Sequence, residues 1–224
     1  MGWTVVVPVR GGGRGKSRLP AAVGGVARPR WVLAFAADTI AALRWSAPVE
    51  QVVVALSAPF PELTGLAGHR GSGGLVRPGG SRRPAPVSFH LDAAPRGLNA
   101  AIVAACAGLG EGPLAVLPGD LPCLRPTDVA DLLRVAASLG RVVVPDTDGR
   151  GSVALAAVSG GLTPRFGNGS FAAHRAAGYR AAVAGDRLRR DVDTPADLAE
   201  ALSLGVGGAT SALAREAGLL PAAG

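Results

Sequence analysis

Lysine is almost missing from this chain: of its 23 lysines and arginines, 22 are arginine and the one exception is Lys16. Aromatic residues are scarce as well, at 4%, too few to build a base-stacking surface. A formal net charge of +7 would suit a phosphate backbone, but the arginines are scattered apart from Arg82-Arg83 and the run Arg187 to Arg190. The basic excess therefore reads as a chain-wide bias, compatible with a pocket for small anions, and nucleic acid is not expected as a partner. Only two cysteines occur, Cys106 and Cys123, without metal-ligand or redox spacing, which excludes a disulfide framework and predicts inert thiols. No apolar stretch approaches the roughly 20 residues that cross a bilayer, and no charged segment followed by a long apolar core opens the chain. A soluble, cytoplasmic protein is expected. The three histidines, His69, His90 and His174, stand in no nucleophile-histidine motif; the first two read as loop or strand residues and His174 as lining a pocket or its edge.

What is present is a chain of 224 residues, 48% hydrophobic, long enough for one well-buried domain and short for two. Valine-rich runs at Thr4 to Val9, Gln51 to Leu56, Pro113 to Leu117 and Arg141 to Val144 each end at Gly, Pro, Ser or Asp and predict buried parallel strands. Alanine- and leucine-rich stretches at Pro29 to Leu43, Leu98 to Ala107, Pro126 to Ser138 and Pro195 to Leu204 predict helices, with Pro126 and Pro195 in the first turn and Thr194 as an N-cap. The alternation implies a single α/β domain with a doubly wound, Rossmann-like sheet, its ligands at the carboxyl ends of the strands. Gly68 to Pro86 is too poor in apolar residues to pack and predicts a mobile surface loop. Ala209 to Leu220 predicts a short closing helix.

The lone lysine ends a glycine-rich loop, Arg10-Gly-Gly-Gly-Arg-Gly-Lys-Ser-Arg18, placed directly after the first strand. A P-loop would need glycine where Arg10 stands, and Pro20 would break the helix that a P-loop feeds. A looser loop remains, in which the amides of Gly11 and Gly12 and the cations Lys16 and Arg18 can hold a triphosphate; a ligand-free basic connection is the alternative. Pro113 to Leu117 delivers Asp120 just past the carboxyl end of a strand, where a hard cation such as Mg²⁺ takes oxygen ligands; the other reading is that Asp120 caps the turn before Pro122. In Asp191-Val-Asp193-Thr-Pro-Ala-Asp-Leu198, Asp191 is the better second ligand, while Asp193 either joins it or caps the following helix.

Taken in order, Gly11 to Leu19, Gly97-Leu-Asn-Ala-Ala-Ile102, Gly119-Asp-Leu-Pro122, Pro145-Asp-Thr-Asp-Gly-Arg-Gly-Ser152, Pro164-Arg-Phe-Gly-Asn-Gly-Ser-Phe171 and Asp191 to Leu198 resemble the phospholactate and phosphoenolpyruvate guanylyltransferases of coenzyme F(420) biosynthesis. The likeness spans nearly the whole chain. It implies a glycosyltransferase-A-type nucleotidyltransferase fold with a mostly parallel sheet and helices on both faces. It implies that Lys16 and Arg18 contact the phosphates of GTP, that Gly97 and Asn99 help hold the nucleotide, and that Asp120 and Asp191 bind Mg²⁺. The acceptor, phosphoenolpyruvate or 2-phospholactate, would be held by Ser152, Gly167 and Ser170. One departure is Arg150, where the family commonly has Thr. Ser152 otherwise reads as a strand-edge residue, Gly167 as a turn and Ser170 as the N-cap of a helix running through His174. The implied reaction is attack by the acceptor's phosphate on the α-phosphorus of GTP with loss of pyrophosphate, by a monomer or homodimer. Alternatives are a molybdenum-cofactor or sugar-phosphate nucleotidyltransferase of the same fold, a basic nucleic-acid-binding protein, and a P-loop kinase or NTPase.

Overall fold

The computed structural model describes residues 2–9, 19–56, 83–91 and 97–222. The strands are β1 (Trp3–Val9), a two-residue hairpin of β2 (Ala22–Val23) and β3 (Val26–Ala27), β4 (Val49–Leu56), β5 (Val87–Leu91), β6 (Leu114–Val116), β7 (Arg141–Pro145), β8 (Ser152–Ala157) and β9 (Arg180–Ala181). Seven of them form one sheet in the order β5-β4-β1-β6-β8-β7-β9. Only β8 runs against the rest, antiparallel to both β6 and β7. The helices are α1 (Arg28–Trp45), α2 (Leu98–Ala107), α3 (Pro126–Leu139), α4 (Ser170–Ala176), α5 (Asp186–Arg189), α6 (Pro195–Leu204) and α7 (Gly208–Glu216).

Both faces of the sheet are covered, which is why its strands read as unbroken apolar runs. Alternate residues nevertheless part company: Val5, Val7 and Val9 of β1 join a core with Ile40 and Leu43 of α1 and Leu133 of α3. Val6 faces the opposite side with Ile102 and Ala105 of α2. Burying one such side chain contributes about 1.5–3 kcal/mol, so neither face tolerates a polar residue there.

All four predicted strands and all five predicted helices are present, with ends shifted by a few residues. Three sheet strands escaped the sequence reading. The edge strand β5 is only half buried and lacks a clean apolar run, β8 is alanine-rich and looks helical by composition, and β9 has two residues. Of the loop expected at Gly68 to Pro86, residues 68–82 lie outside the described chain, as does His69; His90 lies in β5. Cys106 and Cys123 are free, and burial pushes the Cys123 thiol up to about 11, as expected of an inert thiol.

Candidate active site

The turn carrying Asp120 is tied down on every side. Gly119 N–H donates to Pro8 O at 3.4 Å, Leu121 N–H to the Thr39 hydroxyl at 3.1 Å, Val192 N–H to Asp120 O at 3.1 Å and Gly207 N–H to Pro122 O at 2.8 Å. Thr39 is fully buried in α1 and donates its own proton to Phe35 O at 2.9 Å. Glycine is required at 119 by close approach, because a Cβ there would lie 2.9 Å from Val9 Cγ2. The end of β1 thus lies beside the Asp120 turn.

Asp120, Asp191 and Asp193 each bring one carboxylate oxygen to within 4.8 Å of the others, and all three residues are half buried. The alternative role of Asp193 resolves on the neighbouring bonds. Thr194 caps α6 by accepting from Asp197 N–H at 3.2 Å, and Asp197 reciprocates by accepting from Thr194 N–H at 2.8 Å. Asp193 is therefore not the helix cap; its backbone N–H donates to Asp197 at 3.1 Å and its carboxylate joins the cluster. The guanidinium of Arg190 pairs with Asp197 at 3.4 Å and Glu200 at 2.5 Å. Three carboxylates at this spacing repel one another, and hard oxygen ligands of this kind fit a divalent cation.

Because β8 is reversed, its first residue reaches the same edge of the sheet as the last residues of its neighbours: Ser152 pairs with Pro145 at the end of β7, and Leu155 with Val116 at the end of β6. The loop between β7 and β8 is held by hydrogen bonds to Asp146. Asp146 accepts from Arg150 N–H at 3.0 Å and Gly151 N–H at 2.7 Å, and Arg189 donates to Asp146 O at 2.7 Å. Ser152 Oγ lies 3.0 Å from His174 Nδ1, while His174 Nε2 accepts from Arg165 N–H at 2.8 Å. Gly167, at φ 139 in a region that suits glycine, accepts from Ser170 N–H at 3.1 Å. Ser152, Gly167 and Ser170 are thereby linked through one small constellation.

Two expectations change here. Ser170 is not an N-cap: Gly169 holds that position, and Ser170 is a buried first residue of α4. His174 does not line the pocket's surface but is fully buried, with its ring set edge-on to Phe166 and Tyr179 at 5.0 and 5.8 Å. Burial and the nearby Arg165 cation hold it well below the usual histidine range, at about 4. Asn99 sits one residue into α2, whose N-cap is Gly97. Its amide pairs twice with Phe166, donating to the carbonyl at 3.0 Å and accepting from the N–H at 2.8 Å. The tie from Asn99 to the Arg165-Phe166-Gly167 segment was invisible in sequence, since 67 residues separate the partners.

Gly11, Gly12, Lys16 and Arg18 lie outside the described residues. The anchors of their loop do not. Val9 packs on Gly119, and the buried Leu19 shares a hydrophobic cluster with Cys123 and Val192, one residue from Asp191 and Asp193. After Leu19 the chain turns into the β2–β3 hairpin and not into a helix, which removes the P-loop reading.

Residues 80–194 match the MobA-like NTP transferase domain family. A phosphoenolpyruvate guanylyltransferase from Streptomyces avermitilis is 40% identical over 96% of this chain and 94% of its own. One from Salinispora arenicola is 42% identical over 94% and 92%. A solved structure from Desulfovibrio desulfuricans, described as a nucleotide-diphospho-sugar transferase, superposes with a TM-score of 0.67 at 16% identity, covering 96% of this chain and 95% of that one. At 16% identity the likeness to the solved structure concerns the fold alone, whereas the two guanylyltransferases are 40% and 42% identical nearly end to end, and by them the chain belongs to the phosphoenolpyruvate guanylyltransferase family and is a nucleotidyltransferase.

Proposed function

We propose that this protein joins GTP to phosphoenolpyruvate, giving enolpyruvoyl-2-diphospho-5'-guanosine and pyrophosphate for coenzyme F(420) biosynthesis. One observation supports the reading beyond the family name: the Asp120, Asp191 and Asp193 carboxylates cluster around the turn that follows β6, and the reversal of β8 brings Ser152 to that same edge of the sheet. Nucleotide and acceptor can therefore meet there.

A phosphate oxygen of the acceptor attacks the α-phosphorus, and the bond from that phosphorus to the oxygen bridging the β-phosphate breaks, so pyrophosphate leaves with the electron pair. A phosphate monoester has a second pKa of about 6 and is already ionised at neutral pH, so no general base is needed. Asp120, Asp191 and Asp193 would hold Mg²⁺, which supplies charge neutralisation to the triphosphate when bound. Lys16 and Arg18, with the amides of Gly11 and Gly12, neutralise the phosphates from the loop that leaves β1 beside Gly119. Ser152, Gly167 and Ser170 orient the acceptor as short neutral donors. Gly97 and Asn99 border the nucleotide, and Asn99 fastens that side to the acceptor segment through Phe166.

The test is incubation with GTP, Mg²⁺ and either phosphoenolpyruvate or 2-phospholactate, with the product weighed by mass spectrometry. A guanylylated enolpyruvate and released pyrophosphate are expected. Product from 2-phospholactate alone reassigns the acceptor, and orthophosphate as the only released anion rejects guanylyl transfer.

A further inference from the structure

His174 is the one fully buried histidine among the described residues, and both of its ring nitrogens are engaged. One of the two contacts fixes the protonation of the other. The partner of Nε2, at 2.8 Å, is the backbone N–H of Arg165, a group that can only donate. Nε2 must therefore present its lone pair. A protonated imidazole, or a neutral one carrying its proton on Nε2, would set two N–H groups head to head at that distance. In the neutral ring the proton then resides on Nδ1, 3.0 Å from Ser152 Oγ, and the hydroxyl oxygen accepts it. A serine whose oxygen already takes a proton from behind has its own proton left to donate forward.

We propose that His174 is a positioning residue, locked as the neutral Nδ1–H tautomer, which sets Ser152 as a hydrogen-bond donor toward an anionic oxygen of the acceptor. This rests on the assignment of Ser152 to the acceptor site. The lock is mechanical as well as electronic. Phe166 and Tyr179 pack edge-on against the imidazole, and Tyr179 OH is itself pinned by Thr163 N–H at 2.9 Å and Arg141 at 2.8 Å. Arg165 and Phe166 are gripped from two directions, by His174 and by the paired bonds of Asn99. The same imidazole thus aims the Ser152 hydroxyl and seats the backbone leading to Gly167. Burial and the Arg165 charge, which hold the ring near 4, favour the neutral form at physiological pH.

Two measurements test this on the full-length protein. Long-range ¹H–¹⁵N correlation of the wild-type histidines at neutral pH should give His174 the pattern of a neutral ring protonated on Nδ1; protonation on Nε2 would overturn the proposal. In steady-state assays, His174→Leu should raise KM for phosphoenolpyruvate roughly tenfold to a hundredfold, the loss of a hydrogen bond to a charged group, with KM for GTP nearly unchanged. His174→Asn keeps an N–H donor where Nδ1 stands and should recover most of that loss. Adding His174→Leu to Ser152→Ala should worsen acceptor KM no further. Equal losses for both substrates with no recovery in the Asn variant would mark a merely structural histidine and refute the proposal. Should the leucine variant not fold, the Asn variant and the wild-type spectrum still decide. If the wild type makes no product from either acceptor, the functional reading fails and the acceptor clause with it, while the tautomer stands or falls on the spectrum alone.

Discussion

The Thr39 hydroxyl accepts the amide proton of Leu121 at 3.1 Å, joining the middle of α1 to the turn that carries Asp120. Both partners are fully buried, so this bond is one of those that fix the turn from which the carboxylate projects. Thr39→Val keeps the shape, removes the acceptor and strands a buried N–H, at about 1–3 kcal/mol of stability. Urea unfolding should show that loss, the concentration of Mg²⁺ giving half-maximal turnover should rise, and Thr39→Ser should restore both.

Asp120→Asn, Asp191→Asn and Asp193→Asn should each depress Mg²⁺-dependent pyrophosphate release by at least roughly a hundredfold. Their stability should move differently. In chelator, where three carboxylates within 4.8 Å repel one another, the variants should be no less stable than wild type. On adding Mg²⁺, only the wild type should gain Tm. A full Tm gain in Asp193→Asn would remove Asp193 from the ion's ligands.

Acid should weaken the fold through His174. Its folded pKa of about 4 lies below the ordinary 6.5, so between those values the unfolded chain takes up a proton that the native one refuses, and stability falls as pH falls. Fully expressed, the difference is on the order of 3 kcal/mol. Wild type and His174→Asn, unfolded in urea at pH 7 and pH 4.5, should diverge in this sense, with the wild type losing more. Comparing the two cancels Asp38, whose carboxyl burial raises and which favours the fold at low pH.

Asp38 makes a separate prediction. Its two oxygens accept from Ala209 N–H at 2.9 Å and Thr210 N–H at 2.8 Å, serving the first turn of α7 from a residue 171 positions away. Asp38→Ala should cost about 2–3 kcal/mol. Hydrogen exchange should accelerate first in the opening turn of α7, and not in β1 or β6.

The sequence disclosed most where one physical cause dominates. Four core strands announced themselves because burial on both faces forces unbroken apolar runs, and α3 and α6 because proline in the first turn precedes a regular stripe. The Thr194 cap was legible from residue type alone. What stayed hidden depends on partners far apart. The alanines of β8 suit a helix until β6 and β7 claim them, and His174 looks like a pocket residue until Arg165 and Ser152 occupy its nitrogens. Asn99 likewise spends its amide on Phe166. Asp120 was readable as an acid past a strand's end and Asp191 as one between a basic run and a helix, but Asp193 separated from the capping role only once Thr194 and Asp197 were seen bonded to each other.

The single strand that runs backwards has one more effect. Since β8 starts where its neighbours stop, the groups proposed for the acceptor hang from their own turn and short helix, while Asp120 follows a different strand, β6. If the proposed assignment holds, substitutions in that appendage should change which phosphate ester is taken while leaving the nucleotide's own contacts in place, so one substrate preference can be altered without the other.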